Sequence, residues 1–285
     1  MSMISVQAPA KVNLYLHVTG RRADGYHLLD SLFVFTQDGD KISVQTAPEL
    51  SLTITGPYAS LLSAGEDNIV LKAARALAAV CHIEPKAKII LEKNLPVASG
   101  IGGGSADAAA VLKALVRLWN VKISSEKLHE TALHLGADVP SCLESKAVQV
   151  SGIGDVLMPA PKLPNFFILL VNSNNPVPTP AVFKTRAPIF SQARPLTEEI
   201  TDFDSFVRAL SDRHNDLCAA ACQIEPTIEQ VLRVLKENVY CRLAGMSGSG
   251  GTCFGLFLRE EEISSAYEEI RSKHPDWWVL KTAAV

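Results

Sequence analysis

Leu95-Pro-Val-Ala-Ser-Gly-Ile-Gly-Gly-Gly-Ser-Ala-Asp107 decides the reading of this chain. It follows Lys86–Glu92, an apolar run with strand character, and leads into Ser105–Trp119. That second segment is rich in alanine and leucine, has no internal Gly or Pro and stops at Asn120, so it predicts a helix with Ser105 as a natural N-cap. Glycine admits positive φ and lets a ligand approach bare backbone. A helix start adds unpaired N–H groups and the positive end of the macrodipole. Strand, glycines and helix in that order predict a cradle for phosphate oxygens. A merely flexible turn is the plainer alternative, but the flanking elements are too tightly spaced for it. Other phosphate motifs fail: the loop supplies no lysine for G-x-x-x-x-G-K-[ST], and a G-x-G-x-x-G starting at Gly100 would need glycine where Ser105 stands.

Outward from the loop, the chain alternates strand and helix signals. Val12, Leu14, Leu16 and Val18 alternate with Lys11, Asn13, Tyr15 and His17, which predicts a strand with Lys11 and Asn13 on one face. Arg22–Gly25 reads as a turn, and 28–35, 41–45 and 50–55 as further strands. Helices are predicted over 68–81, with Asn68 as N-cap, and over 125–135, stopped by Gly136. A hairpin is expected around Gly152-Ile-Gly154. Proline-rich 159–164 suggests a boundary, giving an N-terminal domain over 1–158 and a C-terminal one over 159–285. In the second, strands are expected at 166–172, 241–244, 252–258 and 277–282, and helices at 204–210, 217–222, 227–238 and 261–273. The proline-rich 179–195 reads as a loop or lid. The class is α+β.

Composition narrows the function. A net charge of −3 gives no global field toward nucleic acid or anionic membrane, so an anionic substrate must be held locally. The N-terminal residues lack a signal-peptide pattern and no apolar run could span a bilayer, so a cytoplasmic protein is expected. Six scattered cysteines contain no C-x-x-C. Cys218 and Cys222, one helical turn apart, read as helix packing with reduced thiols.

Pro96-x-x-x-Gly100-Ile-Gly-Gly-Gly-Ser-Ala106 resembles the ATP loop of the GHMP kinases, which include galactokinase, homoserine kinase and mevalonate kinase. Their usual form is P-x-x-x-G-L-G-S-S-A, so Ile101 and Gly103-Gly104 depart from it in the manner of one branch. Ala8-Pro-Ala-Lys-Val-Asn-Leu14, Arg22-Ala-Asp-Gly-Tyr-His27, Gly136-Ala-Asp-Val-Pro140 and Pro178-Thr-Pro-Ala-Val-Phe183 resemble further motifs of that branch, in the same order. Gly245-Met-Ser-Gly-Ser-Gly250 resembles the C-terminal glycine motif. The resemblance implies a two-domain GHMP kinase fold, its N-terminal domain like domain 2 of ribosomal protein S5, with a left-handed βαβ crossover. It further implies transfer from ATP, with Mg2+, to the 2-hydroxyl of a cytidine diphosphate-linked methylerythritol in non-mevalonate isoprenoid precursor synthesis.

By the same resemblance Asp138 is the catalytic carboxylate and Lys11 the cation beside it. ATP falls to Pro96, Val97, Ala98, Ser99, Gly100, Ile101, Gly102, Gly103, Gly104, Ser105 and Ala106, with Asn68 near the adenine. Tyr26 and Phe183 would sandwich the cytosine and His27 read its edge, with Asn13 and Thr179 adding polar contacts. The metal ligands stay open. The partners expected are small molecules alone, with no nucleic acid or membrane, in a monomer or weak homodimer. Each residue has a plainer reading: a turn aspartate, an edge-strand lysine, core aromatics, a simple N-cap. Two rivals stand beside this function: a homoserine- or mevalonate-type kinase, and a non-enzymatic nucleotide binder on the same fold.

Overall fold

The computed structural model describes residues 3–285. The chain divides into two compact units that are interleaved in sequence. Unit 1 holds the described residues up to Lys11, then Asp38–Val97 and Gly102–Ser145. Unit 2 holds Val12–Gln37, Ala98–Ile101 and Lys146–Val285. The chain therefore enters unit 2 ahead of the proline-rich stretch on which the sequence set its boundary.

The first elements are two long paired strands, β1 (Ile4–Arg21) and β2 (His27–Gln45), which run through both units. The sequence spacing predicted two separate strands here, 28–35 and 41–45, with a break between them. β2 does not break, since Asp40 is buried and engaged within unit 1 rather than solvated. In unit 1, β4 (Lys88–Glu92) pairs antiparallel with the second part of β2 and parallel with β3 (Ser51–Thr55).

Four helices complete unit 1: α1 (Ile69–Val80), α2 (Gly103–Leu118), α3 (Ser125–Leu135) and α4 (Val139–Glu144). Asn68 caps α1 by accepting from the Val70 N–H at 2.9 Å. Val70, Ala73, Ala74 and Leu77 recur at helical spacing on its buried face. The alanines of α2 let its backbone lie close to α1 and α4, and Ala106, Ala108, Ala109 and Ala110 are all buried. Helix α2 begins at Gly103, with Gly102 as N-cap in the left-handed region. The expected N-cap Ser105 thus lies inside the first turn, because the glycines themselves take up helical conformation.

In unit 2, β5 (Val148–Ser151) pairs with the first part of β2 and with β6 (Val156–Pro159), the hairpin expected around Gly152. A four-stranded antiparallel sheet is formed by β7 (Phe167–Asn172), β8 (Leu243–Met246), β9 (Thr252–Phe257) and β10 (Trp278–Ala283), in the order β10-β7-β9-β8. Between its strands run α5 (Thr179–Thr185), α6 (Phe203–Ser211), α7 (Cys218–Ile224), α8 (Thr227–Glu237) and α9 (Glu260–Lys273). β9 is buried throughout because α8 and α9 pack on the sheet. Leu169, Val171, Ile228, Val231, Phe257 and Ile263 form part of that core. Truncating such a residue to alanine costs about 2–5 kcal/mol. Helix α5 was expected to be loop. Its proline lies in the first turn, where no N–H is required, so proline does not oppose the helix. Cys218 and Cys222 lie partly buried against this core as free thiols.

Candidate active site

Unit 1 brings three of the expected residues together. Lys11 lies on β1 with only 4% of its surface exposed. Burying an ammonium is costly without a partner, and Lys11 Nζ lies 3.1 Å from Asp138 Oδ2. Asp138 stands at the N-terminus of α4 but makes no side-chain cap bond. The carboxylate is therefore not spent on the turn, and its side chain keeps 34% of its surface exposed. Gly102, at φ 65°, packs over Lys11: a Cβ there would lie 3.1 Å from the Lys11 Cβ and Cε atoms. The left-handed backbone and this close approach both call for glycine. The first turn of α2 holds no acidic residue, and a side chain at Gly104 would meet nothing within 4 Å. An open, uncontested helix start beside a buried cation suits a polyanion such as a triphosphate.

The strand-to-loop-to-helix passage is pinned by a triad that the sequence reading missed. Asp40 Oδ1 accepts from the Asn94 and Leu95 N–H groups at 2.6 and 2.8 Å, anchoring the chain as it leaves β4. Lys93 Nζ donates to Asp40 Oδ2 at 2.6 Å and to Asp107 Oδ2, within α2, at 2.7 Å. All three are buried. One ammonium cannot fully balance two carboxylates. Burial, opposed by Lys93 and joined by the Asp40 charge, pushes the Asp107 carboxyl up to about 7, and Asp107 Oδ1 is left with no hydrogen-bond partner.

Unit 2 carries Pro178–Phe183, the Tyr26-His27 segment and the second glycine cluster. Ser247 Oγ accepts from the Asn13 N–H at 3.0 Å and donates to the Gly100 carbonyl at 2.9 Å. The Thr252 N–H donates to the Ser99 carbonyl at 3.1 Å. Gly100 has φ 75°, and a Cβ there would collide with the carbonyl oxygens of Ser247 and Gly250. The glycines after β8 are thus needed for close packing against Ala98–Ile101 as well as for the turn. Asn13 is buried and donates through Nδ2 to Ser31 Oγ at 2.9 Å. Thr179 Oγ1 and Ser249 Oγ are 2.6 Å apart.

The aromatics arrange differently from a simple Tyr26–Phe183 sandwich. His27 stacks on Phe183, with centroids 4.9 Å apart and planes at 25°. Tyr26 is 61% exposed. Burial holds the His27 pKa below its ordinary value, and the Arg186 and Arg21 charges press the same way. Asn68 spends its side chain on Val70 N and the Ser63 carbonyl. Among the described residues no group of three or more His, Cys, Asp or Glu could hold a metal ion, and no helix is long and apolar enough to cross a membrane.

Residues 68–146 match the GHMP kinases N terminal domain and residues 193–276 the GHMP kinases C terminal domain. The chain belongs to the GHMP kinases, which use ATP. It is 50% identical over 279 residues to 4-diphosphocytidyl-2-C-methyl-D-erythritol kinase of Paramagnetospirillum magneticum, covering 98% of each chain. To the protein of that name from Rhodospirillum rubrum it is 52% identical, covering 95% of this chain and 89% of the relative. A crystal structure of 4-(cytidine 5'-diphospho)-2C-methyl-D-erythritol kinase superposes with TM-score 0.81 at 31% identity over 99% of both chains. Homoserine kinase from Cytophaga hutchinsonii shares the fold at TM-score 0.71 and 17% identity, covering 99% of this chain and 95% of its own. Within the GHMP kinases, this chain is a member of the 4-diphosphocytidyl-2-C-methyl-D-erythritol kinase family.

Proposed function

We propose that this chain transfers the γ-phosphoryl group of ATP to the 2-hydroxyl of 4-diphosphocytidyl-2-C-methyl-D-erythritol, a step in non-mevalonate isoprenoid precursor synthesis. The observation that carries the proposal is the buried Lys11 held 3.1 Å from a carboxylate that caps nothing, under the glycine that opens α2. Phosphoryl transfer asks for positioning and charge stabilisation more than covalent chemistry. Asp138 orients the acceptor hydroxyl and takes its proton as the oxygen–phosphorus bond forms and the bond to ADP breaks. Lys11 holds the Asp138 carboxylate in place through their ion pair and offsets charge spreading onto the transferring oxygens. Backbone amides of 96–106 bind the triphosphate, with Asn68 toward the adenine. When bound with ATP, Mg2+ would be held chiefly by the phosphates and would offset their charge.

For the acceptor, Phe183 gives a face for the cytosine and His27, kept neutral, reads its edge. Tyr26 supplies the second face by turning inward from its exposed position. Asn13 and Thr179 add polar contacts. The two functional domains follow the 158/159 division, and the protein works in the cytoplasm as a monomer or weak homodimer. ADP release measured with the cytidine substrate, homoserine and mevalonate tests the reading. Turnover with the cytidine substrate alone is expected; preference for homoserine or mevalonate overturns it, and so does nucleotide binding without turnover.

A further inference from the structure

The Asp40–Lys93–Asp107 triad lies directly behind the start of α2. A Cβ at Gly103, the first residue of that helix, would stand 3.1 Å from Lys93 Nζ and 3.6 Å from Asp40 Oδ2. All three side chains are buried, so little water screens their charges. With both carboxyls ionised the group carries one net negative charge, set behind the amides assigned to the triphosphate and against the positive end of the helix dipole. A proton on Asp107 removes that charge. It also gives the contact between Asp107 and Asp40 a donor, where two ionised carboxylates offer only acceptors. Asp107 Oδ1, buried with no partner, marks one acceptor too many.

Two charged groups act on Asp107: Lys93 at the end of β4 and Asp40 on β2. Charges on the helices packed against α2 are engaged elsewhere. Lys72 and Arg75 of α1 pair with Asp67 and Glu66, Lys127 of α3 pairs with Glu130, and His129 of α3 with Glu144 of α4. Glu126 and His134 of α3 are exposed. Cys142 of α4 feels Asp138, Lys11 and Lys113, and Lys11 itself pairs with Asp138. On α2, Lys113 donates to Ser145 Oγ at 3.3 Å.

Tying β4 to α2 would be served as well by an asparagine at 107, which accepts from Lys93 without adding charge. We propose that Asp107 is a positioning residue for ATP that works as a carboxylic acid: nucleotide settling on the start of α2 draws a proton from solvent onto the Asp107–Asp40 pair, leaving Lys93 balanced by a single carboxylate. The proton leaves when the nucleotide does. The inference rests on the reading of 96–106 as the triphosphate loop and goes beyond it by coupling that loop to proton uptake. Nucleotide favours the protonated form, so affinity is fullest below the Asp107 titration at about 7 and falls as pH rises through it.

The test is calorimetric titration of the full chain and of Asp107→Asn with a non-hydrolysable ATP analogue and Mg2+, in two buffers of different ionisation enthalpy. Protonation of the analogue is common to both proteins and cancels in the comparison. At pH 7.5 the parent should take up about half a proton more than the variant, as a tenfold rise in Asp107 proton affinity gives. Between pH 6 and pH 8.5 the parent should lose about three- to tenfold more affinity than the variant. Asp107→Asn should therefore bind nucleotide more tightly than the parent at pH 8.5, a gain that loss of a purely structural contact does not produce. An infrared difference spectrum of the parent at pH 7.5, nucleotide-bound minus free, should gain a carboxylic acid carbonyl band, a readout that needs no variant. Equal proton uptake, parallel pH profiles or absence of the acid band each overturn the inference. A parent that binds no nucleotide defeats the triphosphate loop and this inference with it. Proton-coupled nucleotide binding with turnover of another acceptor supports the inference and defeats only the proposed substrate.

Discussion

Lys93→Met removes the single cation between Asp40 and Asp107 while nearly preserving side-chain volume. It leaves two buried carboxylates facing each other, with Asp40 still anchoring Asn94 and Leu95. Breaking a buried pair by removing one partner costs about 3–5 kcal/mol. At about 2–4 °C per kcal/mol, melting should fall by roughly 10 °C at pH 8. The loss should depend on pH. Asp107 titrates in the folded chain at about 7, against an ordinary 3.8. Between those values the folded state holds the proton more tightly than the unfolded one, so this group lowers stability as pH rises from 4 to 7. Without Lys93, whose charge opposes the rise, the Asp107 carboxyl holds its proton more tightly still, so the variant should be nearer the parent at pH 5 than at pH 8. Lys93→Met/Asp107→Asn, which removes one of the repelling charges, should recover part of the loss at pH 8. Melting curves of the three proteins at both pH values decide this. A loss below about 1 kcal/mol at pH 8, or a double variant no more stable at pH 8 than Lys93→Met alone, would refute the reasoning.

Gly102→Ala places a Cβ 3.1 Å from Lys11 Cβ and Cε at φ 65°; left-handed strain of about 1–2 kcal/mol and a displaced ammonium should lower kcat/KM at least tenfold in a folded protein, read by steady-state kinetics. Phe183→Ala should raise the KM for the cytidine substrate by about tenfold and that for ATP by less than twofold, as loss of one stacking face gives about 1–3 kcal/mol; equal effects on both would remove Phe183 from base recognition. Cys142, four residues after Asp138, has its thiol pKa pushed up to about 12 by burial first and by the Asp138 charge second. Mass mapping after iodoacetamide treatment of the native protein at pH 8 should find it unmodified.

Much of this molecule was legible beforehand because the deciding signals are local. The strand–glycine–alanine sequence around residues 95–107 marks the loop, and period-two or helical spacing marks most strands and helices. Signals failed where local chemistry and tertiary setting disagree. The strand signals at 28–35 and 41–45 are separate, yet Lys93 buries Asp40 within one continuing strand. Prolines hid α5 because a proline in a first turn resembles one in a loop. The Lys11–Asp138 pair joins residues distant in sequence, and only the likeness of their motifs to GHMP kinases linked them. Asp107 could have been noticed. It sits among buried alanines on α2, four residues from Val111, where an unpaired carboxylate is costly.

The role of the Lys11–Asp138 pair is tested most directly by single-turnover phosphoryl transfer with Asp138→Asn. The proposed mechanism predicts transfer slower by about 10²–10⁴-fold, the scale of lost general-base catalysis, with the KM for the cytidine substrate and ATP nearly unchanged. Transfer at close to the parent rate would contradict it.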